Sequence, residues 1–442
     1  MRELGYWVVD RVIEHVTGLD SSPAMRTGDP DALSAALGGP LPEAPGDPHL
    51  ALRTLSDVAL AHMQHVEHPR YFARVPGPSS FAGVLGDWLG TGFNSIATSW
   101  GGGSGPTTVE LVVIEWLLEL IGLPSWGQGV LVSGGSIANL TAMAAARHSR
   151  GSGVAYLSDQ AHTSIGRGLA ALGFASDDVR VLPSDSDLRL GVETVRTAIA
   201  RDRASGRTPR FVIASAGTTN TGAVDPLEAL ADLSAAEGLW LHVDGAYGAP
   251  AAMCQAGRRA LPGLERADSL VLDPHKWLFQ PIDCGCLFMR HPGILESAFA
   301  MDPEYLRDTR APAGEIDLRD RTLELTRRSR ALKLWLTLRI HGAEHLRTAA
   351  ARGIALAEHA ERLLRRDPRW EVVTAAQLAV VTFALRGATA AEHAARAAAI
   401  SADGFAAVTS TSLAGRSVLR LCTINPRTTE RDIAETLERL AR

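Results

Sequence analysis

The chain has 442 residues, of which 46% are hydrophobic and 21% are charged, a composition typical of a globular protein with a large core and two or three structural units. Its formal net charge of −5 gives no electrostatic reason to expect nucleic acid or a membrane surface as a partner. The first residues lack an apolar signal core and no apolar run is long enough to span a membrane, so we expect a cytoplasmic protein. Its four scattered cysteines include one C-x-C pair, Cys284 and Cys286, without a matching second pair, so we expect neither a disulfide framework nor a metal site.

The first 120 residues have helical periodicity interrupted by proline-rich connectors. A helix is predicted within residues 1–22, and a segment rich in proline and glycine follows as far as Pro48, with a short helix at 31–37. Further on, Thr107-Thr108-Val109-Glu110 fits a capping box. It predicts a helix that begins at this point and ends near Gly122.

From residue 129 onward, short apolar runs alternate with helical patterns, which predicts a mainly parallel sheet covered on both faces. The predicted strands of this sheet are 129–132, 154–157, 179–182, 211–214, 239–243, 269–272 and 286–289. A long helical pattern from about 320 to 366 is broken near Gly342 and Gly353. Strands at 370–374, 378–385, 406–411 and 417–423 and a last helix from Thr429 then predict a compact α+β domain.

Three of the predicted strands end in residues that carry chemistry. Strand 269–272 leads to Lys276, strand 239–243 leads to Asp244, and strand 129–132 leads to a turn of small residues at 133–136 before a helix. In an open α/β sheet the ligand crevice lies outside the carboxyl ends of the strands. Pyridoxal phosphate (PLP) requires a lysine amine, a carboxylate that keeps its ring nitrogen protonated, and a helix N-terminus for its phosphate. The three strand ends therefore indicate a PLP site.

These stretches resemble those of the PLP-dependent group II amino acid decarboxylases, the family of the aromatic-L-amino-acid, histidine, glutamate and diaminobutyrate decarboxylases. The resemblance extends nearly from end to end. Further segments that carry it are 158–164, 217–222, 280–285 and 424–429.

The resemblance implies an α/β fold of type I, like that of aspartate aminotransferase, with a mainly parallel sheet in the large domain and a small C-terminal α+β domain. It implies an N-terminal helical segment at 1–88 that packs across a dimer, a large PLP-binding domain at 89–345 and the small domain at 346–442. It also implies a homodimer with a shared active site, in which the partner offers residues 96–100.

By the same resemblance, Lys276 forms a Schiff base with the cofactor, Asp244 pairs with the ring nitrogen, and His162 stacks on the ring. We expect these three residues to be catalytic. Asp273 stands where many relatives have asparagine, and a carboxylate there repels a phosphate unless it turns away or bonds to the backbone. The predicted cofactor-binding residues are Lys276, Asp244, His162, Gly134, Gly135, Ser136, Thr218, Ala246, His275 and Asp273.

The segment around Arg74 borders the substrate side chain in similar decarboxylases. Arg74 is either a surface arginine in a structural ion pair or a contact for an anionic or polar substrate group. Together with the modest Val75 and Thr98, at positions often aromatic in enzymes with aromatic substrates, it speaks against a large aromatic substrate. The predicted substrate-binding residues are Arg74, Val75, Pro76, Ile96 and Thr98.

One departure from the family bears on the reaction. In the aromatic decarboxylases a loop tyrosine is implicated in protonating the carbanion after carbon dioxide leaves, and its position falls on Leu318 here. Leucine cannot donate a proton, and Tyr305 matches a different, structural position. Either another group such as His162 donates the proton, or the reaction turns toward oxidative or transamination-like products, as in related plant enzymes that form aldehydes.

The leading hypothesis is therefore PLP-dependent decarboxylation of an L-amino acid, and the second is an aldehyde synthase or another PLP-dependent lyase. A third hypothesis is a hydrolase built on Ser136 with His162 or His242 and Asp244, although the turn lacks the second glycine of G-x-S-x-G. A non-catalytic homologue is a fourth, against which the lysine, the aspartate and the phosphate turn all argue.

Overall fold

The computed structural model describes residues 1–123, 126–301, 304, 312 and 314–442. The chain folds into two compact units, one formed by 1–76, 358–375 and 381–442, the other by 77–357 and 376–380. The predicted division at residues 88 and 345, which includes packing across a dimer, stays a prediction. None of the helices in the described ranges is long and apolar enough to cross a membrane.

The strands of the described residues form two sheets. The predicted run of seven strands is confirmed, with each boundary within two residues of its expected place. The strands are β1 Gln128–Val132, β2 Val154–Ser158, β3 Val179–Leu182, β4 Pro209–Ser215, β5 Trp240–Asp244, β6 Ser269–Leu272, β7 Gly285–Met289, β8 Trp370–Gln377, β9 Val380–Leu385, β10 Thr409–Leu413 and β11 Arg416–Cys422.

The larger sheet has the order β1-β7-β6-β5-β4-β2-β3. Strands β6, β5, β4, β2 and β3 pair in parallel. Strand β7 lies antiparallel between β6 and β1, so β1 again points in the same direction as β6. The carboxyl ends of β1, β2, β4, β5 and β6 therefore lie along one edge, which is where a ligand crevice is expected. The four-stranded sheet has the order β10-β11-β9-β8.

The helices in the described ranges are α1 Arg2–Gly18, α2 Pro30–Leu37, α3 Pro48–Thr54, α4 Phe81–Gly92, α5 Trp100–Leu120, α6 Gly135–Arg150, α7 Thr163–Ala171, α8 Val192–Ala204, α9 Leu227–Glu237, α10 Gln255–Ala260, α11 Pro274–Trp277, α12 Ile294–Phe299, α13 Ala331–Arg366, α14 Ala390–Ala402 and α15 Glu430–Ala441. Helix α13 contains the predicted break at Gly342, which has a φ of 75°, but it continues through Gly353, so the second predicted break is wrong.

Helix α6 packs on the sheet through a face of small side chains. Ala138, Ala142, Ala145 and Ala146 are buried against apolar residues of the strands. Alanine lets the helix axis approach the sheet closely, and close packing of this kind holds the first turn of α6 in place.

The predicted capping box at Thr107 is wrong. Helix α5 begins at Trp100, with the Ser99 side chain as its N-cap. Glu110 lies inside the helix and is fully buried, where its Oε1 accepts from the Leu131 N–H at 2.9 Å and pairs with Arg327 at 2.6 Å. The local pattern was right for a cap, but a buried arginine more than 200 residues away is a stronger partner for the carboxylate.

Candidate active site

A cavity of about 330 Å³ lies at the carboxyl-end edge of the larger sheet. Strand ends and the first turns of α6, α7 and α11 form its walls. The residues that line it are Ser133, Gly134, Gly135, Ser136, Ile137, Asn139, His162, Ser164, Ser215, Gly217, Thr218, Thr219, Asp244, Ala246, Tyr247, Asp273, His275 and Lys276. The structure thus brings all ten predicted cofactor-binding residues to one cavity, while their individual roles stay predictions.

Lys276 reaches this cavity from α11, the single helical turn that follows β6. Its Nζ lies 3.0 Å from Asp273 Oδ2, and about a fifth of its side chain is exposed. The His275 ring approaches the same carboxylate at 3.5 Å. Burial is the main cause that lowers the pKa of His275, so its ring is neutral at physiological pH.

Asp244 ends β5 and is buried. Its Oδ1 accepts from the Ala246 N–H and its Oδ2 from Asn139 Nδ2, both at 3.1 Å. Burial raises the pKa of the Asp244 carboxyl, and the positive charge of Lys276 opposes that rise. A buried carboxylate of this kind is well suited to hold a proton on a partner nitrogen.

The turn between β1 and α6 leaves room for an anion because two of its residues are glycine. A Cβ atom added to Gly135 would lie 2.9 Å from Ala246 Cβ and 3.1 Å from Asp273 Oδ2. Gly285 of β7 packs against the same turn, and a Cβ atom added to it would lie 2.4 Å from Gly134 Cα. The turn presents the N-terminus of a 16-residue helix to the cavity, which favours negative charge.

His162 and Thr218 lie on other walls of the cavity. His162 is the N-cap of α7, and its Nδ1 accepts from the Ser164 N–H at 3.2 Å and bonds Ser164 Oγ at 2.8 Å. Thr218 is buried, with its hydroxyl 2.9 Å from that of Thr221.

The five predicted substrate-binding residues do not line this cavity. Arg74, Val75 and Pro76 belong to the smaller unit, in which the Arg74 side chain bonds Gln64 at 3.4 Å and its carbonyl accepts from the Arg420 guanidinium. In the larger unit Ile96 is exposed, and the Thr98 carbonyl accepts from the Arg319 N–H at 2.9 Å. Their contact with substrate stays a prediction.

Leu318 is fully buried in the 3₁₀ turn Leu318–Arg321 and does not line the cavity. Tyr305 lies outside the described residues.

His242, one of the bases considered for a hydrolase, bonds Ser269 and Asn139 through its two ring nitrogens, so it cannot serve Ser136 as a base.

Several lining residues were not predicted from the sequence, among them Asn139, Ser164 and Tyr247. Asn139 stands one turn inside α6 and Ser164 lies in the first turn of α7, where a polar residue on a helix gives no local sign that it is buried. Tyr247 follows Asp244 closely in the chain, and its hydroxyl accepts from the Ala379 N–H at 3.1 Å. Closeness to Asp244 is the one signal that would have found it.

The donor set fits PLP. It offers an amine for a carbonyl carbon, a buried carboxylate for a ring nitrogen and a helix N-terminus for a phosphate, all facing one cavity. The glycine turn supports this fit, because a Cβ atom added at Gly135 would fill the space beside the helix N-terminus. The Asp273 carboxylate, whose Oδ1 has no hydrogen-bond partner among the described residues, opposes a phosphate there. The fold and site together define the class of PLP enzymes with an aspartate aminotransferase-like fold.

Comparison with known proteins agrees with this class. A model of the pyridoxal-dependent decarboxylase conserved domain matches residues 41–386. The aromatic-L-amino-acid decarboxylase of Bacillus atrophaeus is 42% identical, over 100% of this chain and 94% of that protein. A phenylacetaldehyde synthase of Arabidopsis thaliana is 32% identical, over 98% of this chain and 94% of that protein. The crystal structure of Oryza sativa TDC with PLP and tryptamine has a TM-score of 0.94 at 29% identity, covering 99% of this chain and 96% of that one.

The chain therefore belongs to the pyridoxal-dependent decarboxylase family. It is a PLP-dependent carboxy-lyase that acts on an amino acid. The predicted family, fold type, cofactor and reaction class are confirmed.

Proposed function

We propose that this enzyme decarboxylates an aromatic L-amino acid and that Lys276, Asp244 and His162 carry the reaction. The observation that supports the assignment best is the convergence of the Lys276 amine and the buried Asp244 carboxylate on one cavity beside the N-terminus of α6. The substrate class is supported by the similarity to the aromatic-L-amino-acid decarboxylase of Bacillus atrophaeus. A large aromatic substrate side chain is not what Arg74, Val75 and Thr98 predict. The substrate class is therefore tested separately below.

Each residue has a separate task in this proposal. Lys276 would hold the cofactor through its amine and yield that bond to the amine of the substrate. Asp244 would keep a proton on the ring nitrogen, and Gly134, Gly135 and Ser136 would bind the phosphate. When bound, PLP supplies a conjugated ring that accepts the electron pair left by departing carbon dioxide.

His162 would donate the proton that replaces the departed carboxylate on the α-carbon. Its ring lines the cavity, and Ser164 donates to Nδ1, so Nε2 is the nitrogen that can carry a hydrogen. Leu318 has no proton to give and does not line the cavity, whereas the His162 ring does.

A second candidate function is decarboxylation coupled to oxidation, in which dioxygen and water are consumed and carbon dioxide, aldehyde, ammonia and hydrogen peroxide are formed. The expected replacement of the family's loop tyrosine by Leu318 would favour it, and the similarity to a phenylacetaldehyde synthase supports it. Assays for peroxide and aldehyde beside carbon dioxide separate the two. Carbon dioxide and amine in equal amounts without peroxide would exclude the oxidative reaction.

The lysine assignment can be tested without activity, because Lys276 and Lys333 are the only two lysines in the sequence. Borohydride makes a bond between a lysine amine and the cofactor's carbonyl carbon permanent, and mass spectrometry of peptides then locates the added mass. We expect the mass on the Lys276 peptide and loss of the cofactor absorbance band in Lys276→Ala.

Lys333 provides the matched control. It is fully buried and its Nζ donates to the Pro281 carbonyl at 2.8 Å and pairs with Asp87 at 3.2 Å. Lys333→Arg should retain the cofactor band. Cofactor mass on the Lys333 peptide, or a full band in Lys276→Ala, would overturn the assignment.

The substrate class is tested with a panel of aromatic, acidic and basic amino acids, in which released carbon dioxide is measured. We expect the largest kcat/KM for an aromatic one. If an acidic amino acid is preferred and Arg74→Leu removes that preference, the expectation drawn from Arg74 is right and the aromatic assignment is wrong.

A homodimer with a shared active site, which rests on the family resemblance, and a cytoplasmic location, which rests on the sequence pattern, also belong to this proposal. Light scattering on the active holoenzyme tests the first. A monomer at concentrations that retain full activity would contradict it.

A further inference from the structure

Asn139 lies at a branch point of a hydrogen-bond network behind the cavity. It stands in α6 and is 2% exposed. Its Oδ1 lies 2.9 Å from His242 Nε2, and its Nδ2 lies 3.1 Å from Asp244 Oδ2 and 3.3 Å from Ser164 Oγ. The Asn139 amide thus contacts Asp244, which is assigned to the cofactor's ring nitrogen. Through the Ser164 hydroxyl it is also linked to His162, which is assigned to the face of the cofactor ring.

The direction of the main branch follows from its two ends. At one end Trp240 Nε1 can only donate, and it does so to Ser269 Oγ at 2.9 Å. At the other end an ionised Asp244 carboxylate can only accept, so the nitrogen of the Asn139 amide faces it.

His242 connects these ends. Burial lowers the pKa of His242 to about 3, so its ring is neutral and carries one hydrogen. Asn139 Oδ1 accepts, which places that hydrogen on Nε2, and Nδ1 then accepts from the Ser269 hydroxyl at 2.8 Å. Every hydrogen in this branch points toward Asp244.

The second branch uses the other hydrogen of the amide. Asn139 Nδ2 donates to Ser164 Oγ, so the Ser164 hydroxyl hydrogen is directed to His162 Nδ1 at 2.8 Å. The Ser164 N–H donates to the same nitrogen at 3.2 Å. Because Nδ1 accepts twice, Nε2 is the ring nitrogen of His162 that carries a hydrogen.

We infer that Asn139 is a positioning residue that sets two groups of the active site at once. One hydrogen of its amide stabilises the ionised form of the buried Asp244, and the other, through Ser164, holds the His162 proton on Nε2. The inference rests on the proposed function, since it gives Asp244 and His162 the tasks assigned to them there. It adds that the two tasks share one side chain.

The test compares Asn139→Asp with Thr141→Val. The first change keeps the size and the acceptor for His242 but replaces both amide hydrogens by an oxygen that repels Asp244. The second removes another buried polar group of α6, a hydroxyl without a hydrogen-bond partner among the described residues, and leaves the network intact. Both proteins are prepared as holoenzyme, and circular dichroism checks their folding.

The first readout is the dissociation constant of PLP. A hydrogen bond to a charged group contributes about 1.5–3 kcal/mol, so we expect Asn139→Asp to weaken binding on the order of ten- to a hundredfold. Thr141→Val should change it less than about threefold. Equal losses in both variants would mean that packing of α6, and not the amide, is responsible, and the inference would fall.

The second readout is the tautomer of His162, observed by nitrogen NMR at pH 8 in holoenzyme labelled with ¹⁵N-histidine. The His162 and His242 signals are assigned by their loss in His162→Gln and His242→Gln. In the wild type we expect a hydrogen on Nε2 of both rings. Asn139→Asp should let the Ser164 hydroxyl turn away from His162 and shift that ring toward the other tautomer.

Ser164→Ala gives an independent check if Asn139→Asp does not fold. This substitution removes the hydroxyl that links Asn139 to His162 and leaves the hydrogen bond between Asn139 and Asp244 in place. The NMR signals of His162 should therefore change, while the dissociation constant of PLP stays within about threefold of the wild-type value. Unchanged His162 signals in Ser164→Ala would overturn the second branch. Failure of the proposed function looks different, because the wild type would then lack a cofactor band that disappears in Lys276→Ala.

Discussion

The Asp273 carboxylate lies between the candidate lysine and the phosphate turn. Its Oδ2 is 3.0 Å from Lys276 Nζ, and only 3.1 Å would separate it from a Cβ at Gly135. A carboxylate in this position pairs with the free lysine and opposes a phosphate. Both effects favour the protein without its cofactor.

Asp273→Asn should therefore tighten PLP binding, by about tenfold if the removed repulsion is on the order of 1–2 kcal/mol. The measurement is the dissociation constant of PLP by fluorescence titration, with inorganic phosphate as a competitor.

Asp232→Asn is the matched control, since Asp232 is exposed on α9 and pairs with Arg266. It should leave the constant unchanged. Weaker binding in Asp273→Asn would show that the carboxylate contributes to cofactor binding, as a proton carrier for instance.

At the scale of elements, the position of β7 controls the shape of the phosphate turn. Strand β7 runs antiparallel between β1 and β6, and its first residue, Gly285, lies against the Gly134 backbone. A side chain there would meet backbone atoms at 2.4–2.8 Å, which cannot move aside as the end of a flexible side chain can.

Gly285→Ala should displace the turn and lower the free energy of unfolding by about 1–3 kcal/mol, the usual cost of overpacking. Because the displaced turn presents the N-terminus of α6, PLP should also bind at least about tenfold more weakly. Thermal unfolding and PLP titration measure the two effects.

Gly166→Ala is the control for Gly285→Ala. Gly166 lies in α7 with no atom within 4 Å of the added Cβ, so the protein should be as stable as the wild type or up to about 1 kcal/mol more stable. Equal behaviour of the two variants would contradict the role given to β7.

At the scale of the whole molecule, two fully buried histidines make stability depend on pH. Burial lowers the pKa of His68 to about 4 and that of His242 to about 3, from an ordinary value of 6.5. As the pH falls, these two histidines are protonated at a higher pH in the unfolded chain than in the folded protein. The stabilising contribution of each neutral ring is thus fully present above pH 6.5, and that of His68 is lost as the pH falls from 6.5 through about 4.

For His68 this loss amounts to about 3 kcal/mol in total. Asp225 acts in the opposite direction, because burial raises its pKa to about 6. Its contribution is present below pH 3.8 and is lost as the pH rises through about 6, so it offsets part of the acid destabilisation.

We expect the urea midpoint of the wild type to fall between pH 7.5 and pH 5, and to fall less in His68→Asn. Asparagine keeps an acceptor for the Arg70 N–H, which donates to His68 Nδ1 at 3.0 Å, and it does not titrate. His148→Asn is the control at an exposed histidine, and it should leave the pH dependence of the urea midpoint as in the wild type. An identical fall in His68→Asn would mean that His68 does not take part.

The sequence by itself determined the strands, the family, the cofactor and which residues meet at the cavity, while the cofactor-binding roles of those residues stay predictions. These features are local, since an apolar run of four residues, a strand-end acid or a small-residue turn is complete within one stretch of chain. The strand order and the antiparallel placement of β7 were not predicted, because pairing between strands depends on residues far apart.

Tertiary structure alone decided which polar side chains became partners. Glu110 matched a capping box but pairs with Arg327, and Asn139 joins His242 and Asp244 across more than 100 residues. Burial changes the energetics of such groups, because a polar atom without a hydrogen bond away from water costs more free energy than a local turn or cap contributes. Partner choice in the core is therefore fixed by the packing of helices on the sheet, which no single stretch of sequence contains.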